Sequence, residues 1–236
     1  MKDLNKVLKL LKKNKARDPL GLSNELFKEG VIGENLKESL VILINRMKET
    51  KKLPELAYLA NITSIWKGKG EKANLDNDRG VFTLTVLRMI LDKPIYNEEY
   101  STIDENMSDS NAGARKQRSC RNHSFIVNGV LYDKKVNKRE DIDLLIYDVA
   151  KCFDEVWPDD TVNVLYDLGV RNENLCLLYE GMKKSYILIK SPSGETERSE
   201  VENLVAQGST WGPLSTSASI DTIGKDAQES VENCYL

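Results

Sequence analysis

Asp143-Leu144-Leu145-Ile146-Tyr147-Asp148-Val149 is a short apolar run that ends on a carboxylate. Continuous apolar character over so few residues suits a strand buried on both faces, so the pattern predicts a strand that delivers Asp148 to an edge of a sheet. A carboxylate there must be paired, neutralised or bound to a cation. Taken alone, the run leaves both a structural aspartate and a magnesium ligand open, since magnesium takes one or two carboxylates plus substrate phosphates.

Downstream, Trp157-Pro158-Asp159-Asp160 reads as a helix start, with the Asp pair as its cap. Val162, Leu165 and Tyr166 give that helix its apolar face, and Gly169 ends it. Leu175, Leu178, Tyr179 and Met182 predict another helix. Tyr186 to Ile189 then form a strand, Ser191-Pro192-Ser193-Gly194 a turn, and Glu200 to Leu204 the second arm of a hairpin. Gly212-Pro213 is a turn opening a further helix.

Upstream the chain is mostly helical. Leu4, Val7, Leu8 and Leu11 follow helical spacing until Asp18-Pro19-Leu20-Gly21 breaks it. Residues 23 to 30 keep helical character, and 34 to 51 present Leu36, Leu40, Leu43, Ile44 and Met47 on one face before Leu53-Pro54. Asn61 to Trp66 is β-branched and aromatic, a strand cut off by the basic glycine turn Lys67-Gly68-Lys69-Gly70. A helix is predicted from Thr83 to near Pro94, a long polar connection over 97 to 120, and a helix from Phe125 toward Lys135. Helices first and strands later predict an α+β chain rather than repeated βαβ units.

With 236 residues, 40% of them apolar, the chain is long enough for one sizeable core or two modest ones. No apolar run approaches a membrane span and no repeat or secretory leader is present, so an intracellular protein, cytoplasmic or nuclear, with no membrane partner is expected. The cysteines, Cys120, Cys152, Cys176 and Cys234, lie too far apart for a zinc motif and read as reduced, buried thiols; His123 is assigned no role. Residues 1 to 72 carry 16 Lys and Arg against 9 Asp and Glu, while the whole chain has a net charge of -3. That balance permits a nucleic-acid partner for the first third without requiring one.

The segment from Tyr147 to Trp157 resembles the first catalytic motif of the reverse transcriptases of non-LTR, LINE-like retrotransposons. Lys15-Ala16-Arg17-Asp18-Pro19-Leu20-Gly21-Leu22 is similar to that family's K-A-x-x-P-x-G-L element. Ile65 to Gly70 and Asn77-Asp78-Arg79-Gly80-Val81 resemble its I-x-K-x-G-K and N-x-R-P/G-I fingers elements. Ala112 to Ser119 resembles its G-x-R-x-x-R-S element, and Gln207 to Ser215 its Q-G-x-x-x-x-P-L-S loop and helix. These motifs stand in the family's order along the chain.

The resemblance implies right-hand polymerase fingers over 1–140 and a partial palm over 141–236, with a small, mostly antiparallel sheet. The palm hairpin and thumb are expected to be missing. It implies that Asp148, with the Val149 carbonyl, helps hold two Mg2+ ions during nucleotidyl transfer in the complete enzyme. By the same resemblance Lys67, Lys69 and Arg79 neutralise an incoming deoxynucleoside triphosphate, and Phe153 blocks a ribose 2′-hydroxyl. Gln207 and Gly208 meet the templating pair and the nucleotide. Arg115 and Arg118 lie near template phosphates, and the partners are an RNA template and a DNA primer. Read without the family, the three hairpin cations are a solvated charge run, Phe153 is core packing and the two arginines are helix-end ion pairs. The family's Y/F-x-D-D motif is absent, because Asp159-Asp160 precedes Gln207 instead of following it. Inactivity of this chain alone is therefore expected. The alternatives are a non-catalytic nucleic-acid-binding remnant and a helical protein-interaction module. Strands at 142 to 149 and 185 to 204 are expected to lack a neighbour and leave an exposed sheet edge.

Overall fold

The computed structural model describes residues 2–144, 146, 148, 149, 152, 156–191, 194–202 and 209–222. The chain is α+β. Helices α1 (Lys2–Leu10), α2 (Glu34–Thr50) and α3 (Val86–Asn106) dominate the first half. Helices α4 (Cys120–Tyr132), α5 (Pro158–Asp167), α6 (Asn172–Lys183) and α7 (212–222) follow. Strands β1 (Leu59–Trp66), β2 (Asp78–Leu84), β3 (Lys184–Ser191), β4 (Gly194–Glu195) and β5 (Ser199–Glu202) form one mixed sheet. Among the described residues no helix is long and apolar enough to cross a membrane.

The sheet runs β2-β1-β3-β4, with β5 also on β3. Strands β1 and β3 are parallel, with Leu59 opposite Tyr186, and the other pairings are antiparallel. β1 therefore lies between β2 and β3, and β3 has β1 on one side and β4 and β5 on the other. No position beside either central strand is open to the apolar run at 143–149. The described residues of that run form no strand, contrary to the sequence expectation: Leu144, Ile146, Asp148 and Val149 are all exposed. The hairpin predicted after Tyr186 is present, as β3 with β5.

Helix α3 carries the main core. Leu91, Ile95, Tyr96, Tyr100 and Ile103 pack with Met47 of α2, Leu165 of α5, Leu177, Leu178 and Met182 of α6, and Trp211 and Leu214 at the start of α7. The helix passes straight through Pro94, where the sequence predicted its end. A mid-helix proline costs about 3 kcal/mol, but the four buried apolar residues that follow it each return about 1.5–3 kcal/mol. Packing outweighs the local preference, and the polar connection shrinks to the residues after Asn106. A smaller core joins Leu4 and Leu8 of α1, Ile32, Leu40 of α2, and Val86 and Ile90.

β2 replaces the predicted start of the helix at Thr83, because its Asp and Gly residues mask the strand signal. Thr85 caps α3 instead, accepting from the Arg88 amide at 3.1 Å. Asp159 and Asp160 sit in the first turn of α5 rather than at its cap, which is Trp157, and there they favour the positive helix end. The thiols also differ from expectation: Cys120 and Cys176 are exposed and Cys152 is half-buried. Helix α4 buries none of its residues, and Cys176 faces away from the buried side of α6 formed by Asn174, Leu177, Leu178 and Met182.

One buried ion pair fastens these layers. Arg88 Nε donates to both Asp92 oxygens at 2.8 and 2.7 Å, Nη1 reaches the Ala57 carbonyl at 3.5 Å, and Nη2 the Gly181 carbonyl at 3.3 Å. A Cβ at position 181 would overlap the guanidinium, so glycine is required there for the close approach. Burial raises the Asp92 carboxyl above its ordinary range, with Arg88 opposing that shift. In urea melts Arg88→Met is expected to cost about 3–5 kcal/mol, because it strands a buried carboxylate, whereas Arg88→Met combined with Asp92→Leu recovers most of the loss. Equal losses in the two proteins would show that the pair does not act as a unit.

Candidate nucleic-acid interface

Three of the sequence-predicted site residues lie at the turn end of the β1–β2 hairpin. Its register sets Ile65 against Arg79 and Trp66 against Asp78. The Lys67 amide donates to the Asn77 carbonyl at 2.8 Å, and the Lys67 ammonium donates to the Asp76 carbonyl at 2.8 Å. Gly70, at φ +75, lies so close to Asn77 that a Cβ would stand 2.6 Å from the amide nitrogen of that side chain. The turn is thus a closed loop with Lys67 and Lys69 exposed on it and Arg79 exposed on β2 beside it. Trp66, 41% exposed, adds an aromatic surface beside these cations. Stacking faces next to basic side chains are what single-stranded nucleic acid takes. Its role as the last residue of an amphipathic strand was the available sequence signal, but it reads equally as core.

The other end of β2 borders a cavity of about 610 Å³. Its walls come from α1 and the loop after it, from Val81 to Leu84 of β2, from Val86, Met89 and Lys93 of α3, and from Thr210. Lys12, Lys15 and Lys93 are its cations, set among Leu10, Leu11, Phe82 and Met89. The basic K-A-x-x-P-x-G-L segment and the residues just before α7, far apart in sequence, therefore line one space with β2.

Asp18 builds that wall. Its Oδ1 accepts from the amides of Leu20 and Leu22 at 2.9 and 2.8 Å, and its Oδ2 accepts from the Val86 amide at 2.9 Å. One buried carboxylate closes its own turn and ties that turn to the start of α3. A carboxylate satisfied by backbone N–H groups at a helix N-terminus is favoured twice, by the bonds and by the dipole. Nothing in the linear spacing connects Asp18 to Val86, so this role was not legible from sequence.

The other predicted residues that are described lie elsewhere. Arg115 is 1% exposed at its side chain, with Nε on Asp104 at 2.6 Å and its other nitrogens on the carbonyls of Ser108, Asn111 and Asp104. In this structure its donors hold its own chain. Arg118 is more open and grips Asp109 through Oδ1 at 2.9 Å and the carbonyl at 2.6 Å, which holds the Asp109 carboxyl below its usual range. Asp148 and Val149 are exposed outside regular structure. Burial first, and then the nearby Asp148 charge, raise the Cys152 thiol. Phe153, Gln207 and Gly208 lie outside the described residues. Among the described residues no three His, Cys, Asp or Glu side chains converge on a metal-sized space. One exposed carboxylate and a neighbouring carbonyl do not amount to a two-metal site.

No protein-family model matches the chain, and no curated protein matches it. Asp18→Ala is expected to destabilise the protein by about 2–3 kcal/mol and to speed amide exchange at Leu20, Leu22 and Val86 well ahead of α6. Unchanged exchange at these three amides would show that the loop is held by other contacts.

Proposed function

We propose that this chain supplies the fingers and the first part of the palm of an RNA-directed DNA polymerase of a retrotransposon. The observation that carries the reading is the ordered series of motifs along one chain: Lys15 to Leu22, Ile65 to Gly70, Asn77 to Val81, Ala112 to Ser119, Tyr147 to Trp157 and Gln207 to Ser215. The reading is supported by the grouping of Lys67 and Lys69, on a glycine-bearing turn, with Arg79 of the adjoining β2, where exposed cations and close backbone approach suit a polyphosphate. In the complete enzyme, bound Mg2+ would supply charge stabilisation of the attacking and leaving oxygens. Asp148 and the Val149 carbonyl would be two of its ligands, Phe153 would exclude a 2′-hydroxyl, and Gln207 and Gly208 would face the templating pair. The RNA template, the DNA primer and deoxynucleoside triphosphates are the proposed partners, with Arg118 the more accessible of the two arginines for a template phosphate.

This chain carries the first carboxylate motif without Y/F-x-D-D, so it is proposed to bind nucleic acid without transferring nucleotides on its own. The second reading, a non-catalytic nucleic-acid-binding remnant, is favoured by the exposed, irregular setting of Asp148. A single titration series tests both. The chain is expected to bind single-stranded RNA, and log K should fall with log salt. Replacing Lys67, Lys69 and Arg79 by Ala should reduce that slope by about 2, at about 0.7 per phosphate contact. Primer extension with magnesium is expected to give no templated product. Templated incorporation lost on Asp148→Ala would overturn the inactivity, and an unchanged salt slope would overturn the placement of nucleic acid on the hairpin.

A further inference from the structure

We infer that Lys93 and Lys116, together with the cavity that Lys93 lines, form a site for a phosphate group. Each ammonium rests on an aromatic face. Lys93 Nζ is 4.1 Å from the centre of the Tyr96 ring, Lys116 Nζ is 3.9 Å from the centre of the Tyr100 ring, and the two rings are 5.5 Å apart. The Lys116 amide also donates to the Tyr100 hydroxyl at 2.6 Å, which anchors this lysine's backbone to α3. Among the described residues neither ammonium has a carboxylate within salt-bridge distance.

The nearby acids are already committed. Asp104 takes Arg115 Nε at 2.6 Å and the Tyr100 hydroxyl at 3.4 Å, Asp92 holds Arg88, and Asp18 is filled by three backbone amides. Lys12 and Lys15 add two further cations to the walls of the same cavity. Burial, and then the Lys116 charge, pull Lys93 below the usual lysine range. A half-buried Lys93 ammonium with the exposed Lys116 cation acting on it is unfavourable until an anion joins them.

Trp211 adds a donor to the same aromatic cluster. Its ring lies 5.2 Å from Tyr96 in an edge-on arrangement, and its buried Nε1 has no hydrogen-bond partner. A buried N–H without an acceptor is itself costly. Ammonium groups are donors only and point to an acceptor-only ligand, while Phe82, Leu84 and Met89 line an apolar space beside Lys93. A phosphate attached to a planar or apolar group suits this combination. The site uses neither Asp148 nor magnesium nor primer, so the inference does not rest on the polymerase reading.

Calorimetric titration of the full chain at low salt, without magnesium, tests it with two probes: inorganic pyrophosphate, and a short single-stranded RNA without terminal phosphates. Lys93→Met combined with Lys116→Met is expected to weaken whichever probe binds by about tenfold or more, and Lys135→Met by less than about twofold. Pyrophosphate binding identifies a free phosphate ligand, and binding of RNA alone identifies a backbone phosphate. The unliganded double variant is expected to keep the parent's circular dichroism and a cooperative melt, since relief of repulsion offsets the two lost cation–π contacts, so a loss of binding is separable from a loss of fold. Affinities that the double variant leaves unchanged, or binding of neither probe, would overturn the proposal.

Discussion

The Arg88–Asp92 pair is the constraint on which the arrangement depends. Its guanidinium holds the carbonyls of Ala57 and Gly181, which lie just ahead of Leu59 and Lys184, the first residues of the two parallel strands. One side chain of α3 thereby sets where β1 and β3 begin relative to each other, and so the register that opposes Leu59 to Tyr186. A buried ion pair contributes little net stability against an apolar pair of the same size, and its better-attested use is to specify one arrangement over others. The edge-on contact between Tyr58 and Tyr186 and the Tyr58 hydroxyl, which donates to Glu180 at 2.6 Å, reinforce the same junction. Burial and that hydrogen bond push the Tyr58 hydroxyl far above its ordinary range, so it remains a donor at any physiological pH.

From that junction the candidate interface follows. With β3 covering one side of β1, the β1–β2 hairpin extends away from the core, and its burial falls from Leu59, Ala60 and Asn61 to an exposed tip. Strand β2 then returns to the start of α3, where Asp18 accepts from the Val86 amide, and forms a wall of the cavity on the way. Cations at the tip and cations in the cavity are therefore placed at the two ends of one strand. The proposed use of this surface by nucleic acid asks for both the charge and the aromatic Trp66, not for net charge alone, since the whole chain is acidic.

Legibility in the sequence followed the number of residues that carry each signal. Leu4, Val7 and Leu8, and likewise Leu40 and Met47, gave α1 and α2 because repeated apolar spacing survives one atypical residue such as the exposed Leu36. Single-residue rules failed where packing opposed them: Pro94 stands inside α3, and the apolar residues 144, 146 and 149 stay in solvent because the central strands have no side left to offer. The amphipathic spacing of α4 gave the right helix, yet Phe125 is 81% exposed, for periodicity reports which face is apolar and not what covers it. In the site, the basic turn at Lys67 to Gly70 was visible as a cluster. Asp18 and the Lys93–Lys116 pair were not, because their partners are separated by long stretches of chain.

The central claim is that nucleic acid lies along β2 and the turn before it. Photocrosslinking of the full chain to single-stranded RNA containing 4-thiouridine, with the crosslinked peptides identified by mass spectrometry, tests it most directly. The account predicts crosslinks concentrated on residues 65–70, 79–84 and 210–211. Crosslinks spread without preference over the surface, or gathered on α4 and α5, would contradict it.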